Sequence, residues 1–277
     1  MISLAKDNRM LGYEVFAPYP NISCFVTTRH GGYSKGNYDS FNCTPYTGDD
    51  AECVRRNQEI LCSSLPQRPK ELIIPFQTHD TQALVIDEAY LNATHEERHM
   101  MLQGIDALIT RKPGCCICIS TADCIPIVLY DKEHQAIAAI HAGWRGTVNR
   151  ILRHTLERMH TLYNTTGENV IAGIGPGISL PSFEIGDEVY EAFREKGFPM
   201  EYISEWKPET HKYHIDLWAA NRLQLSDFGI PDNQIESSGI CTYQQYEDFF
   251  SARRLGIKSG RILSGIMINQ VMSYEHV

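Results

Sequence analysis

The sequence contains no apolar run long enough to cross a lipid bilayer, although 43% of its 277 residues are hydrophobic. The first residues also lack the charged start and the apolar core that a signal peptide needs; they read MISLAKDNRMLGYEVF. We therefore expect a cytoplasmic protein without a membrane partner.

An excess of basic residues is also missing, since the formal net charge is -9 at pH 7. A chain of this charge offers no basic surface to a nucleic-acid backbone, so we expect no nucleic-acid partner. Neither a GxGxxG segment nor a Walker loop occurs, and nicotinamide cofactors and nucleoside triphosphate hydrolysis are therefore not supported. These absences favour a small-molecule ligand, and they leave the oligomeric state unknown.

A disulfide framework is not evident either, because the nine cysteines are odd in number and scattered along the chain. This usage agrees with a reducing compartment in which thiols stay free. Cys115, Cys116 and Cys118 are spaced closely enough to suggest a metal-binding motif, but they lie within an apolar run typical of a buried strand. We therefore predict that these three side chains pack in the core.

Internal repeats, low-complexity tracts and long flexible linkers are absent, which predicts a single domain over residues 1–277. A chain of this length can bury a full core. The predicted helices and strands alternate without a regular βαβ period. The fold class that this order favours is α/β (α+β), a mixed-sheet sandwich with helices on its outer faces, and not a barrel or a Rossmann fold.

Apolar runs and turn residues predict the individual elements. The predicted strands are Ile22–Thr27, Leu72–Pro75, Ala83–Ile86, Ile105–Ile109, Cys116–Ser120, Val170–Ile174 and Ile262–Ile268. The predicted helices run from a cap at Asp49 or Asp50 to about Leu61, from Asp187 to Lys196, and from Leu217 to Phe228. A further helix is predicted directly after Gly146, and residues 250–254 are predicted as loop.

The stretch from Thr121 to Gly146 is predicted to form a hairpin. Its two apolar runs, Ile125–Tyr130 and Gln135–His141, have the length of buried strands and are separated by a polar turn. In an antiparallel pair the start of the first strand lies beside the end of the second. Cys124 and His141 are therefore expected to meet at one edge of the sheet.

A thiol beside an imidazole has two chemical uses, as an activated nucleophile or as half of a soft-metal site. The alternative without function is a buried small side chain beside a hydrogen-bonded histidine. Asp123 before the cysteine and the segment Gly143–Gly146 after the histidine favour the functional interpretations.

Two arginines lie in glycine-bearing turns beside these segments. Arg29 precedes Gly31 and Gly32, and Arg145 lies in a Gly-Trp-Arg-Gly turn. A glycine turn that leads into a helix start offers free N–H groups, and an arginine adds a fork of donors. We therefore expect Arg29 and Arg145 to hold phosphate or another anion, although solvated surface positions are the alternative.

Seven separated motifs carry a resemblance that covers nearly the whole chain. They are Thr28-Arg29 with Gly31-Gly32, Gln77-Thr78-His79, Asp106-Ala107-Leu108, Ala122-Asp123-Cys124, His141-Ala142-Gly143-Trp144-Arg145-Gly146, Ile174-Gly175-Pro176, and Arg253-Arg254 with Gly260-Arg261. In this set the sequence resembles the laccase-domain family, also called multicopper polyphenol oxidase-like. Its members resemble zinc-dependent purine nucleoside phosphorylases that also deaminate adenosine, and bacterial members are also described as peptidoglycan-editing factors.

The resemblance implies a metal site and a fold. The metal, usually taken as zinc, would be bound by His79, Cys124 and His141. The implied fold is a single α/β sandwich with distant similarity to cysteine hydrolases. The sequence departs from the family pattern at Thr78, where valine is common, and at Ile105, where alanine often occurs, but neither position is an implied ligand.

The chemistry of these three residues agrees with catalytic zinc, because two imidazoles and one thiolate leave the fourth position of a tetrahedral ion open. Copper is less favoured, since a laccase needs paired His-x-His segments and this sequence has none. Three alternatives stay open. They are a Cys-His hydrolase or amidase with Cys124 as nucleophile and His141 as base, a copper-dependent polyphenol oxidase, and a non-catalytic, metal-stabilised binding protein.

The resulting hypothesis is phosphorolysis of purine nucleosides, with adenosine deamination at the same site. Adenosine and inosine are the expected substrates, with guanosine and methylthioadenosine as further candidates, and phosphate is the co-substrate. A water activated by zinc would attack the purine carbon that bears the amine, while Asp123 or a nearby carboxylate moves the proton. The predicted catalytic residues are His79, Asp123, Cys124 and His141, and the predicted substrate-binding residues are Arg29, Asn42, Gln77 and Arg145.

Overall fold

The computed structural model describes residues 1–4 and 8–270 of the chain. Its strands are β1 (Ile2–Ser3), β2 (Met10–Gly12), β3 (Ile22–Thr27), β4 (Glu71–Ile73), β5 (Ala83–Ile86), β6 (Ala107–Thr110), β7 (Cys115–Thr121), β8 (Ile125–Asp131), β9 (Ala136–Ala142), β10 (Val170–Ile174), β11 (Glu184–Ile185), β12 (Ser204–Lys207), β13 (Lys212–Ile215), β14 (Ile235–Ser237) and β15 (Ile262–Ile268). Its helices are α1 (Ala51–Ser64), α2 (Glu88–Asn92), α3 (His95–Met101), α4 (Trp144–Val148), α5 (Ile151–Tyr163), α6 (Asp187–Glu195), α7 (Met200–Ile203), α8 (Leu217–Asp227) and α9 (Ala252–Leu255). Within these ranges no helix has the length and apolarity to cross a membrane.

Most strands belong to two mixed sheets. The first sheet has the order β1-β2-β3-β15-β7-β4, and the second has the order β14-β10-β8-β9-β6-β5. Neighbours are antiparallel except for β4 with β7, β10 with β14, and β5 with β6, which are parallel. A small third sheet has the order β11-β13-β12.

The two large sheets pack face to face, and helices cover their outer faces. Ile117 and Ile266 of the first sheet share one buried apolar cluster with Val128 and Ala139 of the second. On the outer side of the first sheet, Leu61 of α1 packs in another cluster, with Phe25, Cys118 and Leu263. On the outer side of the second sheet, Leu152 and Leu156 of α5, Phe193 of α6 and Ala220 of α8 cover Ile127 and Ile140. The predicted mixed-sheet sandwich with outer helices is confirmed, whereas the single domain over residues 1–277 stays a prediction.

Aspartate side chains cap the starts of α1 and α8. Asp50 accepts a hydrogen bond from the N–H of Cys53 at the start of α1, at 2.9 Å, and Asp216 accepts one from Ala219 at the start of α8, also at 2.9 Å. Each bond satisfies a donor that has no partner inside the helix. The helix α1 continues three residues beyond the predicted end at Leu61.

The predicted hairpin is confirmed as β8 and β9, with Ile125 opposite Ala142 and Pro126 opposite His141. The buried carboxylate of Asp131 closes the turn, because its Oδ1 accepts the backbone N–H groups of Glu133 and His134, each at 3.0 Å. This register places Cys124, which directly precedes β8, beside the end of β9.

The three cysteines of β7 are buried free thiols, as predicted. Cys115 faces the cluster between the two sheets, and Cys116 and Cys118 face the cluster beneath α1. Alternate side chains of a strand point to opposite faces, so these cysteines are divided between two parts of the core.

Two predicted boundaries around the site were wrong. The Gly-Trp-Arg-Gly segment does not precede a helix but enters the short helix α4, and the longer helix α5 starts only at Ile151. Arg150, with a left-handed φ of 60°, separates the two helices. Residues 250–254 were predicted as loop, but Ser251 accepts a hydrogen bond from the N–H of Arg254 at 3.2 Å and caps α9. Helices this short carry too few residues to show a helical period.

Candidate metal centre and its cavity

Three side chains from separate segments converge at one end of the second sheet. His79 lies in the loop between β4 and β5, Cys124 in the turn between β7 and β8, and His141 near the end of β9. The ligand atoms of the three residues all lie within 4.8 Å of one another. The two imidazole rings meet edge to face, with centroids 4.7 Å apart. The structure therefore brings together the three residues expected to bind metal.

The fully buried carboxylate of Asp106 forms hydrogen bonds with the imidazole of His141 and with the backbone around His79. Its Oδ1 lies 2.7 Å from Nδ1 of His141 and accepts the N–H of His79 at 3.0 Å. Its Oδ2 accepts the N–H groups of Thr78 at 3.1 Å and Asp80 at 2.9 Å. A proton on Nδ1 of His141 leaves Nε2 free as a metal ligand, which is the usual role of a carboxylate behind a metal-binding histidine.

Sequence reasoning missed this function of Asp106. The residue was noted only as part of an Asp-Ala-Leu motif. One available signal was its place directly before β6, since β6 pairs with β9, the strand of His141. The position of Asp106 points to His141 only when the pairing of β6 with β9 is already known, and these strands are distant in sequence.

Gly143 forms the floor of the cluster. A Cβ atom built on Gly143 would lie 3.0 Å from Sγ of Cys124, 3.1 Å from Cδ2 of His79 and 3.7 Å from Nε2 of His141. The first two distances are tighter than most real Cβ contacts, so a side chain at this position would push Cys124 and His79 slightly away from the centre.

The donor set fits a zinc ion. Zinc bonds of about 2.0–2.3 Å to nitrogen and sulfur in tetrahedral geometry separate neighbouring ligand atoms by about 3.5 Å, so His79, Cys124 and His141 need only a small inward shift. Two imidazoles and one thiolate also suit a copper site, but such sites add a weak axial ligand, often methionine. No methionine occurs among the described residues that line the adjoining cavity, but Gln77 does line it. The three donors therefore fit zinc with one position open, and they fit copper as well.

Without metal, Cys124 and His141 form an ion pair. Burial raises the pKa of the Cys124 thiol, but the charge of His141 and hydrogen bonds from His141 and His79 outweigh it and bring the pKa to about 6. Burial lowers the pKa of His141, but Cys124 and Asp106 together raise it to about 9. Burial also disfavours the charged form of Asp106, yet the bond and charge of His141 leave its pKa below the ordinary value. A thiolate is the form of cysteine that binds metal or attacks carbon.

A cavity of about 390 Å³ opens beside the cluster, within the range usual for small-molecule sites. Tyr46 and Phe76 form an aromatic wall, with their rings edge to face and 5.3 Å apart. The cavity is lined by Thr44, Tyr46, Thr47, Pro75, Phe76, Gln77, His79, Ser120, Thr121, Ala122, Cys124, His141, Ala252, Ile257 and Arg261. Of these, sequence reasoning had selected Gln77 and the three candidate ligands.

The other residues predicted to bind substrate occupy different places. Gln77 lines the cavity and exchanges two hydrogen bonds with the backbone of Ser120, at 2.9 and 2.7 Å. Asn42 is buried behind the lining, where its amide contacts Thr44 and Thr47. Arg29 donates to backbone carbonyls of Asp39 and Tyr246 and lies outside the lining.

Arg145 and Asp123 also lie outside the lining. Arg145 is exposed and stacks over the ring of Trp144 at 4.2 Å. Asp123 has a left-handed φ of 88°, and its two carboxylate oxygens accept hydrogen bonds from Thr242 Oγ1 and from the N–H of Arg253, each at 2.7 Å. Asp123 thus anchors the turn that carries Cys124.

The fold and the site define an α/β sandwich protein with a His-Cys-His metal-type centre beside a ligand-sized cavity. Comparison with known proteins gives the family. Residues 23–269 match the model of the family described as "Multi-copper polyphenol oxidoreductase laccase", and the chain belongs to this family. The resemblance drawn from the seven motifs is thereby confirmed.

Curated relatives cover almost the whole chain. A protein of Bacteroides thetaiotaomicron named purine nucleoside phosphorylase is 63% identical over 98% of this chain and 100% of its own. A protein named adenosine deaminase RL5, from an unknown prokaryotic organism, is 42% identical over 88% of this chain and 93% of its own. The solved structure of YlmD from Geobacillus stearothermophilus is 28% identical, covers 92% of this chain and 94% of its own, and superposes with a TM-score of 0.84.

Proposed function

We propose that this protein is a zinc-dependent purine nucleoside phosphorylase that also deaminates adenosine. The observation that carries the proposal is the His79, Cys124 and His141 cluster with an open position beside a ligand-sized cavity. The names of the relatives at 63% and 42% identity support the two activities. Phosphate and purine nucleosides are the proposed substrates.

Zinc at this cluster would supply a Lewis acid that polarises a substrate atom or activates a water. The protein contributes orientation. Asp106 keeps the proton of His141 on Nδ1, and it fixes the backbone that carries His79. Because Gly143 has no side chain, the ligand atoms can approach one another.

The aromatic wall suits a purine. Phe76 lines the cavity with 40% of its surface exposed, and Tyr46 packs against its edge. A purine ring is flat and aromatic, so it can stack on such a wall with a gain of about 1–3 kcal/mol. We place the base against Phe76 and Tyr46.

In phosphorolysis an oxygen of hydrogen phosphate forms a bond to C1′ of ribose while the bond from C1′ to N9 breaks. The electron pair of that bond goes to the purine, and the proton carried by hydrogen phosphate ends on the purine as well. The products are ribose-1-phosphate and neutral base. Positive charge builds on the ribose in the transition state, so a phosphate held in place stabilises it.

In deamination the oxygen of water bonds to C6 of adenosine and the amine leaves as ammonia. One water proton ends on the leaving amine, and the other ends on N1 of the inosine product. Asp123 is a candidate for moving these protons, but its bond to Thr242 or to Arg253 must first open. Phosphate has no part in this reaction.

A Cys-His hydrolase is the second candidate function, because the pKa of Cys124 falls to about 6 beside a protonated His141. Such a pair is an activated nucleophile when no metal is bound. Chelation separates the two functions, since a hydrolase of this type works without metal and a zinc enzyme does not.

The test uses purified full-length protein, before and after chelation and after zinc is restored. With zinc, inosine should release free base only when phosphate is present, and adenosine should form inosine with or without phosphate. Full activity after chelation would refute the zinc dependence. Oxidation of a phenol that requires added copper, with nucleosides unchanged, would favour a polyphenol oxidase instead.

A further inference from the structure

Arg261 places a positive charge in the cavity wall without an acidic partner. Among the described residues that line the cavity it is the only arginine or lysine, and none of the lining residues is acidic. Its guanidinium donates to the backbone carbonyls of Ser259 at 2.7 Å, Gly260 at 3.0 Å and Ile257 at 3.0 Å. Carbonyl groups satisfy donors but do not neutralise the charge.

The nearest negative charges do not change this conclusion. Burial lowers the pKa of Arg261, and Cys124 and Asp123 oppose that effect. A thiolate bound to a divalent metal no longer balances a separate cation, and the Asp123 carboxylate lies outside the cavity lining, where it accepts hydrogen bonds from Thr242 and Arg253. Among the described residues that line the cavity, Arg261 therefore offers an anion a cationic contact for which no acidic lining residue competes.

Unpartnered hydroxyl groups are a second, independent observation at the same cavity. Oγ1 of Thr44, Oγ of Ser120 and Oγ1 of Thr121 are shielded from solvent and have no hydrogen-bond partner among the described residues. All three residues line the cavity, and Thr44 and Thr121 are each only 1% exposed. Buried polar groups without a partner are uncommon in folded proteins. Each of these hydroxyl groups keeps an unused hydrogen-bond donor at the cavity wall.

Strand pairing and one buried amide connect these groups. Thr121 of β7 lies opposite Ile262 of β15, the residue directly after Arg261. The N–H of Arg261 donates to Oδ1 of Asn42 at 3.1 Å, and Nδ2 of Asn42 donates to the backbone carbonyl of Thr44 at 3.3 Å. The three groups are thus fixed to one another through the backbone.

We propose that Arg261, with the hydroxyl groups of Thr44 and Thr121, binds the phosphate co-substrate in this cavity. This inference rests on the proposed function and gives the phosphate a site other than Arg145. A guanidinium presents two N–H groups to two oxygens of one phosphate, and each hydroxyl donates one more bond. The alternative is that Arg261 only clamps the loop formed by residues 257–260.

The experiment compares Arg261→Gln and Arg261→Lys with the wild-type, zinc-loaded enzyme. For Arg261→Gln we expect the KM for phosphate in inosine phosphorolysis to rise about 10- to 100-fold, because a charge-assisted bond pair is lost. Adenosine deamination should change by less than about 3-fold, since phosphate takes no part in it. For Arg261→Lys we expect a KM for phosphate between those of the wild-type enzyme and Arg261→Gln, because lysine keeps the charge but not the two parallel N–H donors.

A direct binding measurement uses inorganic phosphate as the probe. Phosphate should raise the melting temperature of the wild-type protein and leave that of Arg261→Gln unchanged, because only a ligand of the folded state stabilises it. Adenosine monophosphate is the second arm. Stabilisation by adenosine monophosphate but not by inorganic phosphate would mean that the site binds a nucleotide, and the proposal would be wrong.

Arg150→Gln is the matched control. The Arg150 guanidinium also donates to a backbone carbonyl, that of Lys196 at 3.0 Å, and stacks on Phe198, but it lies outside the cavity. This variant should keep the wild-type KM for phosphate. If Arg261→Gln does not fold, Thr121→Val replaces it, and there we expect a rise of about 3- to 10-fold in the KM for phosphate.

Two results would overturn the inference. One is an unchanged KM for phosphate in Arg261→Gln and Thr121→Val. The other is an equal loss of both activities with a lower melting temperature, which is the behaviour of a loop clamp. Failure of the proposed function looks different. The wild-type protein would then release no base in the presence of phosphate, and the melting experiment would still decide whether Arg261 binds the anion.

Discussion

Replacing Asp106 by asparagine should weaken metal binding, because this carboxylate orients His141 and the backbone at His79. The carboxylate accepts hydrogen bonds from Nδ1 of His141 and from the N–H groups of Thr78, His79 and Asp80, and a longer one of 3.5 Å from Oγ1 of Thr78. Asparagine has only one accepting oxygen. In either orientation of its side-chain amide, the NH₂ group therefore faces the donors that one of the two carboxylate oxygens had accepted.

The two orientations of the amide have different costs. With the oxygen toward His141, the N–H groups of Thr78 and Asp80 lose their acceptor, which costs about 2–4 kcal/mol of folding stability at about 1–2 kcal/mol for each buried donor. With the NH₂ group toward His141, the imidazole must carry its proton on Nε2, the atom that would bind metal. Loss of such a supporting carboxylate typically lowers metal affinity about 10- to 100-fold, or about 1.4–2.7 kcal/mol.

The assay is a competition for zinc against a chromophoric chelator, together with the melting temperature of the metal-free protein. Asp131→Asn is the matched control. Asp131 is equally buried, binds Nδ1 of His134 at 2.9 Å and accepts two backbone N–H groups, but it lies at the opposite end of the hairpin. We expect both variants to lose stability and only Asp106→Asn to lose affinity. Equal zinc affinity in the two variants would refute the role assigned to Asp106.

Four further predictions concern the cluster and its neighbours. Purified protein should contain about one zinc per chain by elemental analysis, and His79→Ala, Cys124→Ala and His141→Ala should each lose it; full zinc in Cys124→Ala would contradict the three-ligand site. In metal-free protein the pKa of Cys124 is lowered to about 6. The rate at which Cys124 is alkylated, followed by mass spectrometry, should therefore fall only below about pH 6. If the rate reached half its maximum near the ordinary pKa of a thiol instead, the ion pair with His141 would be contradicted. Gly143→Ala should reduce zinc affinity about 10-fold, because the new Cβ contacts Cys124 and His79. The backbone itself accepts alanine, since the φ of Gly143 is -68°. Unchanged affinity would show that the ligands can shift freely. Arg145→Ala should change the KM for phosphate and the melting temperature little, because the side chain is exposed on Trp144, and a steep rise in that KM would restore it as the phosphate ligand.

Sequence reasoning succeeded where structure depends on local pattern. The hairpin of β8 and β9 followed from two apolar runs and a polar turn, and its register brought Cys124 to His141. His79 entered the predicted site only through the family resemblance, because a lone histidine in a loop has no local signal. The sandwich followed from the irregular order of elements.

The roles of Asp106 and Arg261 could not be read in the same way. Asp106 reaches His141 because β6 pairs with β9, and Arg261 reaches Thr121 because β15 pairs with β7. These pairings join residues 35 and 140 positions apart, and no local pattern specifies which distant strands become neighbours. The break between α4 and α5 was also missed, because it depends on the left-handed backbone of Arg150.

The position of β15 in the first sheet has a consequence for how the protein is made. Although it is the last strand along the described chain, β15 lies between β3 and β7 in the middle of that sheet. Until the ribosome has released residue 268, β3 and β7 have an open gap between them and expose unpaired edges to water or to a chaperone. The second sheet, which holds Cys124 and His141 at one end, needs only residues up to Ser237. The metal ligands are thus synthesised well before the last wall of the cavity, which Arg261 supplies.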